Sequence, residues 1–203
     1  MENTQLLSDT QKLIESLGQL PGTTVKPTFV AVSGLPGTGK SYFSSKLAER
    51  FPFVILESDA LRKTIFPAPS YSPEESSRLF QASHLLIERL LRKGISLILD
   101  STNLSERHRE RLYSIADHLN VKLILVGVEA PPQVVYDRLK SRAQDTKSIS
   151  DADWKVYQKM KQSAQKITRN HYVVDTSRDI TPVVDKILRE LKRNGDSKWK
   201  LKS

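Results

Sequence analysis

The segment TFVAVSGLPGTGKSYF (28–43) decides the fold, because an apolar run leads directly into a glycine-rich loop that ends in Lys40 and Ser41. Within it, GLPGTGKS matches the pattern G-x-x-x-x-G-K-[ST] in full. A strand is predicted before this loop and a helix after it, which is the context that a phosphate-binding loop requires. The sequence therefore predicts that residues 34–41 hold the polyphosphate of a nucleotide.

Each residue type in this loop suits that task. The glycines let the backbone curl so that successive N–H groups point at phosphate oxygens. We expect Lys40 to reach the β- and γ-phosphates and the Ser41 hydroxyl to bind Mg²⁺. The predicted nucleotide-binding residues, with ATP as donor substrate, are Gly34, Leu35, Pro36, Gly37, Thr38, Gly39, Lys40, Ser41 and Tyr42.

Short apolar runs alternate with longer helical stretches along the chain, which predicts an α/β fold with a parallel sheet covered on both faces. We expect a three-layer P-loop NTPase fold, with one domain over residues 28–193. The predicted strands are 28–33, 53–57, 95–100, 121–129 and 171–176, and the predicted helices are about 39–50, 73–93, 105–119, 132–142, 151–169 and 181–193.

The two ends of the chain differ from this domain. Residues 1–27 predict a helix and a turn-rich connector, with Leu6, Leu13, Leu17 and Leu20 near one helical face. This helix is expected to dock on the outside of the domain, and a partner-binding arm is the alternative. Residues 194–203 predict a basic, flexible tail.

Composition limits the class of protein. The chain has 203 residues and no cysteine, and no apolar stretch approaches the roughly 20 residues of a membrane helix. We therefore expect a soluble cytoplasmic protein without a membrane partner. The net charge is +9, which suits a polyanionic partner such as nucleic acid or a nucleotide. A solvated basic helix and tail would explain the charge equally well.

The segment LESDALRK (56–63) follows the second strand, whose carboxyl end opens onto the ligand crevice of a parallel sheet. Asp59 is expected to orient an acceptor hydroxyl and take its proton. Arg62, one helical turn later, would bind an acceptor phosphate or the reacting phosphoryl group. The alternative is that Ser58 or Asp59 only caps the next helix.

The segment LILDSTNLSERHRER (97–111) ends the third strand. Asp100 stands where a carboxylate holds the water shell of Mg²⁺. Thr102 and Asn103 follow in the same crevice and are expected to hydrogen-bond the acceptor. Ser105 is expected to cap the next helix, on which the arginines at 107, 109 and 111 are expected to be mostly solvated. The alternative is that one of them helps to bind the substrate.

The segment YDRLKSRAQDTKSIS (136–150) places Arg138 and Arg142 four residues apart, on one helix face. With the polar residues after them they predict a lid over about 138–150. Lid arginines neutralise the charge of a transferring phosphoryl group while the closed lid excludes water. An exposed basic helix is the alternative.

The phosphate loop, SDALR, DSTNLSERHR and RLKSR follow one another in an order that resembles the P-loop kinases related to bacteriophage-type polynucleotide 5′-hydroxyl kinase, of the zeta toxin and AAA_33 type. The resemblance runs from about residue 29 to 176. It implies a five-stranded parallel sheet in the order 2-3-1-4-5. It also implies that Asp59 is the general base, that Arg62 engages an acceptor phosphate, and that Arg142 lies nearest the transferring phosphoryl group.

Together these features predict an ATP- and Mg²⁺-dependent phosphotransferase that acts on an alcohol group. The favoured acceptor is a nucleic-acid 5′-hydroxyl, although no basic, aromatic-rich stretch for base stacking stands out in the sequence. A small-molecule hydroxyl on a sugar, antibiotic or nucleotide sugar is the alternative. The rivals from another class are an NTPase switch, whose output is conformational, and a nucleotide-binding module.

Overall fold

The computed structural model describes residues 2–142 and 152–193, so most of the predicted lid and the whole predicted tail lie outside the described residues. The strands are β1 (Thr28–Ser33), β2 (Val54–Glu57), β3 (Leu97–Asp100), β4 (Lys122–Glu129) and β5 (Tyr172–Asp175). The helices are α1 (Glu2–Ser16), α2 (Lys40–Ala48), α3 (Ser58–Ile65), α4 (Pro73–Arg92), α5 (Glu106–His118), α6 (Pro132–Arg142), α7 (Trp154–Ser163) and α8 (Thr181–Arg193).

The five strands form one parallel sheet in the order β2-β3-β1-β4-β5, which confirms the predicted order and fold class. The pairing register shows which residues at the strand ends lie side by side. Asp100 of β3 lies beside Val32 of β1 on one side and beside Glu57 of β2 on the other. The carboxyl ends of these three strands therefore meet at one edge of the sheet, where ligands bind in such folds.

Two hydrophobic cores cover the two faces of the sheet. Because successive strand residues point to opposite faces, Phe29 packs with α1, α3, α4 and α5, whereas Val30 packs with α2 and α8. Both side chains are fully buried. Within residues 2–142 and 152–193, no helix is long and apolar enough to cross a membrane.

Two helices differ from the sequence prediction. Residues 58–65 form a separate helix, α3, which the predicted set of helices did not include. The helix predicted over 151–169 begins only at Trp154, where the Asp153 side chain caps it, and ends at Ser163. It stops there because the next segment runs extended against the loop before α5, with the Gln165 N–H donating to the Leu104 carbonyl at 3.0 Å.

The N-terminal helix α1 packs against α3 and α4. Leu13 is fully buried in the core that these helices share. Asp9 is also fully buried, and its two carboxylate oxygens accept from Nε and Nη2 of Arg78 on α4 at 2.5 and 2.8 Å. Burial alone would raise the pKa of Asp9, but the hydrogen bonds from Arg78 and Gln5 outweigh it and hold that pKa below its usual value. α1 is thus an integral part of the helical layer that carries Asp59.

Replacing Asp9 by asparagine is expected to destabilise the protein by about 2 kcal/mol, because it leaves part of a buried, charge-assisted pair uncompensated. Urea unfolding monitored by circular dichroism measures the change. Glu15→Gln, on the exposed face of the same helix, is the control and should stay within about 0.5 kcal/mol of the parent. Equal stability of the two variants would contradict the anchoring role.

Candidate active site

The phosphate loop joins β1 to α2. Just before α2 begins, its backbone adopts a conformation that only glycine adopts easily. Gly39 has φ +91°, and a Cβ on it would lie 2.8 Å from Oγ1 of Thr176. α2 begins at the next residue, Lys40. The first N–H groups of a helix lack partners within it and carry partial positive charge, so the start of α2 forms an anion-binding end.

The loop after β3 is hydrogen-bonded to the phosphate loop. The Gly34 N–H donates to the Thr102 carbonyl at 3.1 Å. The Ser33 hydroxyl donates to the carbonyls of Thr102 and Asn103, both at 3.0 Å. The side-chain amide of Asn103 donates to the Val32 carbonyl at 2.8 Å. These bonds fix the two loops as one unit.

A cavity of about 1140 Å³ opens over this unit. Residues from the phosphate loop, β2, α3, β3 and α6 line it, and so do Val156 and Met160 of α7. α3 begins at Ser58, so Asp59 lies inside its first turn rather than at the capping position. The predicted site residues that line the cavity are Pro36, Gly37, Gly39, Lys40, Ser41, Tyr42, Asp59, Asp100, Thr102, Arg138 and Arg142.

Two carboxylates stand side by side at the strand ends beneath the cavity. Burial raises the pKa of Glu57 and the pKa of Asp100. The negative charges of Asp100 and Asp59 raise the pKa of Glu57 further, and the charge of Asp59 raises that of Asp100. Lys40 and the Ser41 hydroxyl oppose the rise at Asp100. Oδ2 of Asp100 is buried and has no hydrogen-bond partner among the described residues. A buried, unpaired carboxylate oxygen beside the hydroxyl of Ser41 fits a hydrated Mg²⁺ ion.

Lys40 lies at the mouth of the phosphate loop, where its Nζ donates to the Leu35 carbonyl at 3.2 Å. Burial lowers the pKa of Lys40, and the carboxylates of Asp100 and Asp59 partly restore it. The ammonium group therefore depends on nearby negative charge, which a bound polyphosphate would add.

The two arginines of α6 have different surroundings. Arg138 is held by Thr176, with Nη1 donating to Oγ1 at 2.8 Å and Nη2 donating to the carbonyl at 2.9 Å. Thr176 in turn donates to the Thr38 carbonyl at 2.6 Å. Arg142, one turn further along the same face, lines the cavity and makes no hydrogen bond or ion pair to another described residue. Arg138 is thus hydrogen-bonded to the residue that contacts the phosphate loop, while no donor of Arg142 is engaged by the residues that the structure describes.

Two predicted acceptor contacts lie outside the cavity. Asn103 is 7% exposed, and its amide is engaged with β1 as described above. Arg62 is 8% exposed. Its Nη2 donates to the Ser76 hydroxyl at 3.2 Å, and Nη1 lies 3.5 Å from a carboxylate oxygen of Glu75. Asp59 and Arg62 do lie three residues apart on one helix. That spacing does not reveal that α4 packs over the guanidinium group of Arg62.

Arg109 also departs from expectation, because it was expected to be solvated and is only 2% exposed. Its Nη1 donates to the Asn103 carbonyl at 2.6 Å. Nη2 donates to the carbonyls of Gln165 and Lys166 at 3.0 and 2.7 Å, and Nε donates to Glu106 at 2.7 Å. Ser105 occupies the N-cap position of α5, as predicted, but its side chain makes no capping hydrogen bond. Arg109 thus ties the loop after β3 to the segment that follows α7.

The polar and aromatic lining residues that the sequence prediction did not include are, among others, Glu57, Tyr71, Thr176 and Arg178. A signal existed for Glu57, since the second and third predicted strands both end in an acid. Thr176 follows the fifth strand at the same edge of the sheet, and Arg178 comes two residues later. Tyr71 lies in an irregular loop, and no periodicity points to it.

The AAA_33 family, described as an AAA domain, matches residues 29–167, which is more than half of the chain. A relative named UPF0200 protein SSO1041, from Saccharolobus solfataricus, is 29% identical over 135 residues, which cover 60% of this chain and 69% of that protein.

Solved structures of similar fold include Kti12 from Chaetomium thermophilum in complex with ADP-AlF3, with a TM-score of 0.62 and 18% identity over 79% of this chain and 97% of that one. The APS kinase CysC from Mycobacterium tuberculosis, in complex with AMPPNP and APS, has a TM-score of 0.60 and 17% identity over 83% and 99% of the two chains. The chain therefore has the fold of the P-loop kinases.

Replacing Arg109 by lysine is expected to destabilise the protein by about 2–3 kcal/mol, because one ammonium group cannot serve the four acceptors that the guanidinium fork reaches. Urea unfolding measures the loss, and hydrogen exchange of the Gln165 amide should accelerate. Arg107→Lys, an exposed position on the same helix, is the matched control, with little change expected. Similar behaviour of both variants would show that Arg109 does not hold the two segments together.

Proposed function

The chain belongs to the AAA_33 family, and we propose that it is an ATP-dependent kinase that transfers the γ-phosphoryl group to a hydroxyl acceptor, with a nucleic-acid 5′-hydroxyl as the favoured acceptor. One observation carries the proposal: a single cavity combines a complete phosphate loop with Asp59 and with the arginines of α6. A polyphosphate site alone needs no carboxylate across the cleft, whereas transfer to a hydroxyl does.

On the donor side, the backbone N–H groups at the start of α2 and the Nζ of Lys40 would bind the phosphates of ATP. Arg142 would neutralise the charge that spreads over the γ-phosphoryl oxygens during transfer. Arg138 would contribute from its fixed position beside the phosphate loop. Ser41 and Asp100 would hold Mg²⁺, directly and through water, and Glu57 would assist. The ion would supply charge neutralisation between the phosphate oxygens.

On the acceptor side, Asp59 would accept a hydrogen bond from the attacking hydroxyl and take its proton as the new oxygen–phosphorus bond forms. The bond between the γ-phosphorus and its bridging oxygen breaks in the same displacement, and the electron pair stays on the β-phosphate of ADP. The products are the phosphorylated acceptor and ADP, with the proton on Asp59. Thr102, which lines the cavity beside Asp100, would orient the acceptor.

The choice of a nucleic-acid acceptor rests on charge and on resemblance. The chain carries +9 net, and a basic protein attracts polyanions over a range set by ionic strength. Its D-x-x-R and R-x-x-x-R motifs resemble those of polynucleotide 5′-hydroxyl kinases. A volume of about 1140 Å³ is large enough for a nucleotide and an acceptor group together.

The deciding experiment offers γ-labelled ATP with 5′-hydroxyl DNA, RNA, tRNA and a set of small alcohols. Label on an oligonucleotide 5′ end is the expected result. Label on a small alcohol and never on an oligonucleotide would make the chain a small-molecule kinase. Label only in free phosphate would overturn the kinase proposal and favour an NTPase switch.

Two variants separate the donor half of the site from the acceptor half. Lys40→Ala should weaken both nucleotide binding and transfer, because a phosphate ligand is lost. Asp59→Asn should lower kcat by about 100-fold or more and leave ATP affinity nearly unchanged, because the base is lost and the phosphate ligands stay. Calorimetric titration with a non-hydrolysable ATP analogue measures affinity, and Asp117→Asn, at an exposed position of α5, is the control. Equal loss of ATP affinity in the two variants would mean that Asp59 is not an acceptor-side residue.

A further inference from the structure

Tyr71 lines the cavity but has no role in binding ATP or Mg²⁺ in the proposed function. It lies in the loop between α3 and α4 and lines the same cavity as the phosphate loop. Its φ is +56°, in the left-handed region that non-glycine residues rarely adopt. An aromatic residue there costs on the order of 1 kcal/mol and persists only where its surroundings enforce it.

The surroundings do enforce it. The carboxylate of Glu75, in the first turn of α4, accepts hydrogen bonds from the backbone N–H groups of Ser70 at 3.0 Å and Tyr71 at 2.9 Å. Ser72 caps the same helix, with its hydroxyl accepting from the Glu75 N–H at 3.2 Å. The start of α4 thereby fixes the backbone of Tyr71 and the direction in which its side chain leaves the loop.

The ring itself is supported by Arg62. The guanidinium carbon lies 4.8 Å from the ring centroid, over the ring face, at a distance typical of a cation–π contact. Arg62 does not line the cavity, whereas Tyr71 does and keeps 44% of its surface exposed. The ring therefore stands between the cavity and a buried arginine.

That arginine forms an ion pair with Glu75, and its Nη1 has no hydrogen-bond partner among the described residues. Glu75 lies 3.5 Å from Arg62 Nη1, and both side chains are largely buried. The cavity wall at this point is therefore an aromatic surface rather than an exposed cation, and it suits a flat, uncharged group better than a phosphate. Asp59 and Tyr71 line the same cavity. They are also linked through α3, because Arg62, whose guanidinium contacts the ring, follows Asp59 by three residues on that helix.

We propose that Tyr71 is the platform on which the terminal base of the acceptor stacks, so that the acceptor is a nucleoside unit that bears its 5′-hydroxyl at Asp59. The inference rests on the proposed kinase function and narrows its acceptor class. Stacking of a base on an aromatic side chain tolerates any base, because every base has a π-face. The platform thus selects for a base at the 5′ end without selecting a sequence.

The test compares two 5′-hydroxyl oligonucleotides that differ only at the first residue, which carries a base in one and is abasic in the other. The parent protein should prefer the base-bearing substrate by about tenfold or more in kcat/KM. Tyr71→Asn removes the ring with a residue that tolerates the left-handed backbone, and should bring the two substrates to similar kcat/KM. Tyr71→Phe keeps the ring and should keep the preference.

Three results would overturn the inference. One is an unchanged preference in Tyr71→Asn. Another is an equal loss of kcat/KM on both oligonucleotides in that variant, which would mean that the ring only shapes the loop. The third is a parent protein without any preference for the base. The proposed acceptor fails separately, when the parent phosphorylates a small alcohol and neither oligonucleotide.

Discussion

The hydrogen bonds between the loop after β3 and the phosphate loop are the constraint on which the site depends. Gly34 donates to the Thr102 carbonyl, and the buried amide of Asn103 donates to Val32 in the neighbouring strand. Because the parallel register places Asp100 beside Val32, these bonds set the distance between the phosphate loop and the carboxylate of β3. A phosphate loop on its own binds polyphosphate. These hydrogen bonds hold the loop after β3 at a fixed place beside it.

Arg109 connects the loop after β3 to the segment that follows α7. Its guanidinium joins the Asn103 carbonyl to the carbonyls of Gln165 and Lys166, which follow the helix that carries Val156 and Met160. One wall of the cavity is thereby anchored to the loop that binds the phosphate loop. A buried arginine is costly unless its donors are satisfied, and here each nitrogen of the fork has at least one acceptor.

The parts of this structure that the sequence predicts are those determined by local pattern. Buried parallel strands appear as continuous apolar runs, and the carboxyl ends of such strands lie at one edge, so Asp59 and Asp100 could be placed near Lys40 before the structure was known. Arg62 and Arg109 show what local pattern omits. Helical spacing gives the face from which a side chain projects, whereas its partners come from α4 in one case and from a segment 56 residues away in the other.

The position of Tyr71 could not be predicted from the sequence for a different reason. It depends on a backbone conformation that tyrosine disfavours, and the hydrogen bond to Glu75 of the next helix stabilises that conformation. The absence of an aromatic-rich basic stretch in the sequence argued against base stacking. A single ring brought to the cavity by a capped helix does not need such a stretch.

The cavity is lined by carboxylates and by cations. The carboxylates of Glu57, Asp59 and Asp100 lie at the ends of β2 and β3 or just after, and burial with mutual repulsion raises the pKa of Glu57 and of Asp100. The cations Lys40 and Arg142 lie on α2 and α6. A polyphosphate placed among the cations would face the carboxylates, and the repulsion between them would be relieved by a divalent cation beside Ser41 and Asp100. Asp59 lies in the first turn of α3, which follows β2. The burial of Asp100 and its unpaired oxygen beside Ser41 are the electrostatic reason for proposing that Asp100 serves the metal, which leaves Asp59 for the hydroxyl.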